Sequence, residues 1–252
     1  MTRFAQLIST LCLLCAAVDS SAEQLMVAVA SNFSAPMREL SAAFTQKSGH
    51  TLNISFGSSG KFYAQIIHGA PFQIFLSADQ TKPEALIKAG FVVPASRFTY
   101  ALGALALWSP NNELVDAGGD VLSGRNYRKL AIANPLLAPY GAAAIDVLRH
   151  LNVEASTRSS WVIGENIAQT YQFVSTGNAE LGFVSLSQIM NRGRLTSGSV
   201  WIVPKDLYRP IKQDAVLLKA SEHNKAAQEF MTFLTSAKAE HIIRSYGYQL
   251  AH

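Results

Sequence analysis

The chain has 252 residues, of which 49% are hydrophobic and 15% charged, and its formal net charge is +4. That length and composition suit one large α/β domain or two modest lobes with a substantial core, and they exclude a disordered chain. The basic residues are scattered instead of clustering with aromatic ones, which argues against a nucleic-acid surface and leaves a mild excess that at most draws anions in.

The first segment reads as an export signal. Arg3 supplies a positive start, Leu7 to Val18 an apolar run, and Ser20-Ser21-Ala22 a small-residue cleavage site before Glu23, so residues 1–22 are expected to be removed. The run falls short of the roughly 20 apolar residues that a membrane-spanning helix needs. Leu14, before Cys15, is too large for a lipid-attachment box. Both cysteines, Cys12 and Cys15, lie inside this segment, so an exported protein without disulfides or thiol chemistry is expected.

Gln24 to Ala30 is hydrophobic and β-prone, as in a buried parallel strand. After Ser31-Asn32, Ser34 fits a helix cap and Pro36 its first turn, while Met37, Leu40 and Phe44 trace one helical face as far as Gly49. Leu52-Asn53-Ile54 predicts a second strand, Ser55 to Lys61 a glycine-bracketed turn, and Phe62 to Ile67 a helix. Gly57 and Gly60 are expected to permit positive φ and close backbone approach, and Ser58 or Ser59 to cap that helix. Such a corner suits an anion, and it equally suits a serine that caps a helix and does no more. Ser31-Asn32 leaves the same choice between ordinary turn and ligand site. Gly69-Ala70-Pro71 stops the helix, Gln73 to Leu76 is a short strand, Ser77-Ala78-Asp79 a third strand-end loop, and Pro83 to Ala89 a helix closed by Gly90. This β-α order predicts a doubly wound lobe.

Tyr100 to Trp108 predicts one long apolar strand, ended by the turn Ser109-Pro110-Asn111-Asn112. Leu130 to Ala133 is another strand, Asn134 to Gly141 a proline-punctuated loop, and Ala142 to Leu151 a helix. Gly164-Glu165-Asn166-Ile167 opens a helix with Ile167, Tyr171 and Val174 on one face, and Leu181 to Val184 is a strand with Ser185 at its end. The middle of the chain is thus α/β again, and fits a second lobe. Gln213 to Leu218 reads as a returning strand, with Asn224 to Thr235 and Ala237 to Tyr246 as closing helices. No linker rich in Gly, Ser or Pro separates the lobes, so the chain is expected to pass between them on strands.

Enzyme motifs are missing: there is no G-x-S-x-G elbow, no H-E-x-x-H and no dinucleotide fingerprint. Gly57-Ser58-Ser59-Gly60-Lys61 falls two residues short of a phosphate loop, and Phe62 stands where Ser or Thr would hold magnesium. The 6 histidines show no close ligand spacing. Glu84, near Asp79, belongs to a helical first turn, where a carboxylate is favoured in any case. What remains is a set of neutral donors at strand-to-helix corners, a combination suited to a dehydrated oxyanion.

The runs Ala30-Ser31-Asn32-Phe33-Ser34-Ala35-Pro36-Met37, Phe56-Gly57-Ser58-Ser59-Gly60-Lys61-Phe62-Tyr63, Phe75-Leu76-Ser77-Ala78-Asp79 and Ala138-Pro139-Tyr140-Gly141 closely resemble the periplasmic molybdate-binding proteins of ABC importers. The resemblance implies a type II periplasmic-binding fold: two doubly wound α/β lobes joined by two crossing strands. Residues 23–104 and 210–252 would form the first lobe and 105–209 the second. Carried over by position, the donors are Ser31, Asn32 and Ser59, with Ser58 as a further candidate, from the first lobe, and Tyr140 and the backbone N–H of Ile167 from the second. Many relatives place a donating tyrosine where this chain has Ser185. Either Ser185 donates in its place or the Tyr140 phenol takes over, and the second is the expectation. The function implied is capture of molybdate or tungstate and delivery to an inner-membrane ABC permease by a periplasmic monomer. No catalysis, cofactor, directly held metal or nucleic acid is expected. The rival reading is a binding protein for another tetrahedral oxyanion: sulfate, chromate or phosphate.

Overall fold

The computed structural model describes residues 22–124 and 126–251. Apart from Ala22, the expected export signal lies outside the described residues. From β1 (Gln24–Ala30) a single 3-10 turn, Ser31–Phe33, leads into α1 (Ser34–Ser48). Then follow β2 (Thr51–Gly57), α2 (Ser59–Ile67), β3 (Ile74–Leu76) and α3 (Thr81–Lys88). The chain continues through β4 (Phe98–Gly103), β5 (Leu105–Ser109), α4 (Val121–Gly124), β6 (Leu130–Ala133), α5 (Pro139–His150) and α6 (Glu154–Thr157). After β7 (Trp161–Gly164), α7 (Ile167–Ser175), β8 (Leu181–Ser185) and α8 (Leu186–Ile189) comes a hairpin of β9 (Met190–Asn191) and β10 (Arg194–Leu195). The last elements are β11 (Ser199–Ile202), β12 (Ile211–Leu217), α9 (Lys225–Leu234) and α10 (Ala237–Ser245).

Two five-stranded sheets result, in the orders β2-β1-β3-β12-β4 and β11-β5-β8-β6-β7. In the first, β1 runs parallel to β2 and β3, while β12 is antiparallel to β3 and β4. In the second, β6 runs parallel to β7 and β8, and β5 is antiparallel to β8 and β11. The alternation of side chains along a strand explains why each sheet is covered on both faces. Val27 and Val29 pack with Phe33, Leu40, Phe44 and Phe230 under α1 and α9, whereas Ala28 between them packs with Phe62, Ile66 and Leu86 under α2 and α3. Likewise Leu105 and Leu107 face Ile145 and Leu148 of α5, and Ala106 and Trp108 face Val174 and Ile189.

The predicted single strand Tyr100–Trp108 is two strands belonging to different sheets, broken at Ala104. Its uniform hydrophobicity hid the break, because both halves are buried. Gly103 permits the crossing: a Cβ there would stand 2.2 Å from the Tyr140 phenol oxygen. The chain returns to the first sheet between Ile202 and Ile211. The first crossing therefore runs from strand to strand through Ala104, whereas the return over 203–210 is coil around a 3-10 turn, Lys205–Leu207, and not the expected strand.

Other departures are local. The first helix is preceded by a 3-10 turn and capped from Phe33, not Ser34. Helix α5 begins at Pro139 instead of Ala142, since the fixed φ of proline fits the first helical position. Neither Gly57 nor Gly60 has positive φ. What Gly60 provides is close approach: its N–H donates to Leu137 O at 2.9 Å, and a Cβ would meet Leu137 Cα at 3.0 Å. Strands β7 and β11 have no counterpart in the sequence reading.

Candidate functional site

Strands β1 and β2 of the first lobe and β6 and β7 of the second end towards one another, each giving way to a turn that opens a helix. Open α/β sheets bind ligands at such carboxyl ends. Here the turns from both lobes line a single small cavity of about 10 Å³, which is room for about one water. Ser31 and Asn32 reach it from the 3-10 turn, Ser58 and Ser59 from the start of α2, Tyr140 from α5, and Ile167 from α7. Six of the seven residues singled out in the sequence thus meet at one place. Ser185 does not line it: its hydroxyl lies 2.7 Å from that of Ser187 and is fully buried at the end of β8.

Each helix start presents donors for a defined reason. The Ser58 hydroxyl caps α2 by accepting from Lys61 N at 3.3 Å. Ser59 Oγ accepts from Ala78 N at 2.9 Å, which uses an oxygen lone pair and leaves its proton to donate elsewhere. In α5, Pro139 has no N–H, and Gly141 and Ala142 already donate to Ala138 O, so Tyr140 carries the first amide of that helix. In α7, Asn166 Oδ1 accepts from Ala168 N at 2.9 Å and Gln169 N at 3.1 Å, leaving the Ile167 amide in front of the cap. The amides of Asn32, Ser59, Tyr140 and Ile167 meet no protein acceptor among the described residues.

No lining residue is charged. Positive potential comes from the starts of α2, α5 and α7, each worth roughly half a unit charge. The lobes also touch across the cavity: Ser31 Oγ donates to Asn166 Oδ1 at 3.1 Å, and at the rim Lys61 Nζ and Glu165 Oε1 are 2.7 Å apart. A larger cavity of about 300 Å³ opens alongside, sharing Ala78, Ala138 and Pro139. It is lined by charges of both signs, Lys82 pairing with Asp79 at 2.7 Å and Arg209 with Asp146 at 2.8 Å, with Lys212 as a further cation.

Two side chains point differently from what the sequence suggested. The Tyr140 phenol is turned away from the cavity. Its neighbours are Gln213 Nε2 at 3.3 Å, Ser185 and the backbone of Gly103, none of which lines the cavity. Burial pushes its pKa well above the ordinary tyrosine value, with nearby Tyr248 adding to the rise, so the phenol stays protonated. The reason is packing: the ring belongs to the second lobe's core, and only its backbone faces the cleft. The Asn32 side-chain carboxamide is also withdrawn, its Nδ2 donating to Gln213 Oε1 and Tyr248 OH, both at 2.8 Å. Asn166 is the cavity residue that the sequence reading missed; its position as cap before an amphipathic run was the available signal.

The chain matches the family model of bacterial extracellular solute-binding proteins over residues 25–249. It is 51% identical over 234 residues to the molybdate-binding protein ModA of Azotobacter vinelandii, covering 93% of each chain. To ModA of Rhodobacter capsulatus it is 48% identical over 232 residues, 92% of this chain and 90% of that one. The solved structure of the periplasmic molybdate-binding protein of A. vinelandii superposes with a TM-score of 0.88 at 42% identity, over 90% of this chain and 100% of that chain.

Proposed function

Since the chain belongs to the bacterial extracellular solute-binding proteins, we propose that it captures molybdate, and tungstate equally, between its lobes and delivers it to an inner-membrane ABC permease. The observation that carries this reading is the convergence of uncharged donors from both lobes on one cavity. The molybdate-binding relatives at 51% and 48% identity support the choice of anion.

In this mechanism the dianion docks on the first lobe, against the Ser59 hydroxyl and the amides of Asn32 and Ser59. The second lobe then swings in about the crossings at Ala104 and residues 203–210, adding the amides of Tyr140 and Ile167. Ser31, now bonded to Asn166, turns its proton to the anion, and the lobes settle slightly wider around it. Molybdate carries no proton at neutral pH and suits a site made of donors. Hydrogen phosphate would set its own hydroxyl against one of them. Sulfate is the second reading, favoured by the tightness of the cavity, since it is smaller and equally proton-free.

The same proposal makes 23–104 with 210–252 one lobe and 105–209 the other, working as a monomer in the periplasm, without a cofactor. It also makes the protein a carrier without catalysis: Tyr140 is the one titratable residue lining the cavity, and its phenol faces away. A thermal-shift panel of molybdate, tungstate, sulfate and phosphate on the purified protein tests the reading. A ligand at 100 times its Kd adds about 2.7 kcal/mol of stability. Molybdate and tungstate should raise the melting temperature most; equal shifts for all four, or none, would refute the proposal.

A further inference from the structure

One contact at the cavity ties the lobes together through a hydroxyl that the anion would also need. Ser31 Oγ, from the turn after β1, donates its single proton to Asn166 Oδ1 of the second lobe at 3.1 Å. While that bond is made, Ser31 has no proton for an anion. Its other contact, from Ala168 N at 3.4 Å, uses an oxygen lone pair and leaves the proton free to move. Both residues line the cavity, where Ser31 is buried and Asn166 half-buried.

Asn166 Oδ1 is oversubscribed. It also accepts from Ala168 N at 2.9 Å and from Gln169 N at 3.1 Å, so three donors share an oxygen with two lone pairs. The two backbone bonds cap α7 and fix which end of the carboxamide faces the helix. The Ser31 bond is the one that can be given up, because without it the oxygen keeps both cap bonds and no acceptor is stranded. To the Ser31 hydroxyl, Asn166 Oδ1 is thus a neutral substitute for an oxyanion oxygen, supplied by the opposite lobe.

We propose that Asn166 is a built-in competitor for the Ser31 proton, bridging the lobes when they close without an anion and lowering affinity by what it costs to break that bridge. This inference rests on the capture reading given above. Asn166 acts on the anion only through Ser31, which makes it a positioning residue. Molybdate wins the exchange because a hydrogen bond to a charged oxygen is roughly twice as strong as one to a neutral oxygen.

The test measures Kd for molybdate by calorimetry in the wild type, Asn166→Gly, Asn166→Ser, Ser31→Ala and the double variant that combines Ser31→Ala with Asn166→Gly, with circular dichroism reporting the fold. Glycine at the cap position costs α7 little. Serine caps as well as asparagine, on a side chain one bond shorter that stays with its own helix, so Asn166→Ser decides the matter even where Asn166→Gly fails to fold. Both single variants at Asn166 should bind molybdate roughly two- to tenfold more tightly, the scale of one neutral hydrogen bond. In the Ser31→Ala background, Asn166→Gly should leave Kd within about twofold, since no proton remains to be released. A merely structural Asn166 would give unchanged or weaker binding in the single variants, as would an Asn166 that donates to the anion through its own Nδ2, and either result overturns the proposal. Tighter binding that persists in the Ser31→Ala background overturns it too, because it would come from α7 amides freed of their cap. A wild type that binds no molybdate refutes the capture reading instead, and the inference with it.

Discussion

Substituting Ser59 by alanine separates the ligand role of its hydroxyl from its structural one. The Oγ accepts from Ala78 N at 2.9 Å, so the proton is free to donate into the cavity. A hydrogen bond to a charged group contributes about 1.5–3 kcal/mol, which converts to a roughly 10- to 150-fold weaker Kd. The substitution also strands the Ala78 amide beside a buried residue. An unsatisfied buried donor costs about 1–3 kcal/mol, which for a protein of this size lowers the unliganded melting temperature by roughly 2–10 °C. Calorimetry with molybdate reads the first effect and a thermal melt without anion reads the second. The reasoning predicts both together. If Ser59→Ala keeps the wild-type Kd while its melting temperature falls, the hydroxyl braces the Ala78 turn and does not hold the anion, and the site assignment is wrong.

Gly60→Ala places a Cβ 3.0 Å from Leu137 Cα and 3.1 Å from Leu137 O, both backbone atoms of the facing lobe. It should hinder closure and weaken binding by roughly tenfold, with little loss of unliganded stability; unchanged affinity would show that the lobes close without this contact. Asp214, buried on β12, accepts from Arg97 and, at 2.6 Å, from Thr99 Oγ1. Asp214→Ala should destabilise the first lobe by about 3 kcal/mol, read as a lower urea midpoint, and a shift under about 1 kcal/mol would contradict it. Burial holds the pKa values of Tyr140 and Tyr100 well above normal, while in the unfolded chain tyrosines titrate near 10. Above about pH 10 the unfolded state therefore binds fewer protons than the native one, and stability falls as pH rises. Melting temperatures from pH 8 to 11 should be flat and then decline, with a shallower decline in Tyr140→Phe; an equal slope in that variant would count against the assignment.

The strand-to-helix corners were legible in the sequence because each is signalled locally, by a β-prone run, a small polar pair and a helical period. That is why the corners at Ser31-Asn32 and Ser58-Ser59 stood out without coordinates, while their role as donors, and that of Ile167, came from the family resemblance. Which atom each residue presents was not legible. At Tyr140 the choice between phenol and amide depends on Gly103, Ser185 and Gln213, which are distant in sequence, and the packing turned the phenol inward. The Asn32 side chain is likewise claimed by Gln213 and Tyr248, 181 and 216 residues away. The break at Ala104 left no mark on the hydrophobicity, which reports burial, and burial is the same in either sheet; only the resemblance put the lobe boundary there. Strands β7 and β11, each 4 residues long at a sheet edge, are too short to show a period.

Neutral donors also bear on release. A lysine or arginine placed in the cavity would have to be stripped of water each time the lobes closed, and would be left buried and unpaired whenever they closed empty. Amides at helix starts carry their positive potential permanently and need no counterion when the site is vacant. Closing on an anion and closing empty then differ mainly in the hydrogen bonds to the anion, so occupancy governs the closed population. In the proposed mechanism, a permease that pulls the lobes apart has those neutral bonds, the Gly60–Leu137 hydrogen bond, the half-exposed Lys61–Glu165 pair and, where no anion has displaced it, the Ser31–Asn166 hydrogen bond to break. Adding a buried charge, as in Ala78→Lys, should on this reasoning slow anion dissociation and shift the affinity strongly with pH, and stopped-flow release measurements showing neither change would mean that cavity charge has no part in release.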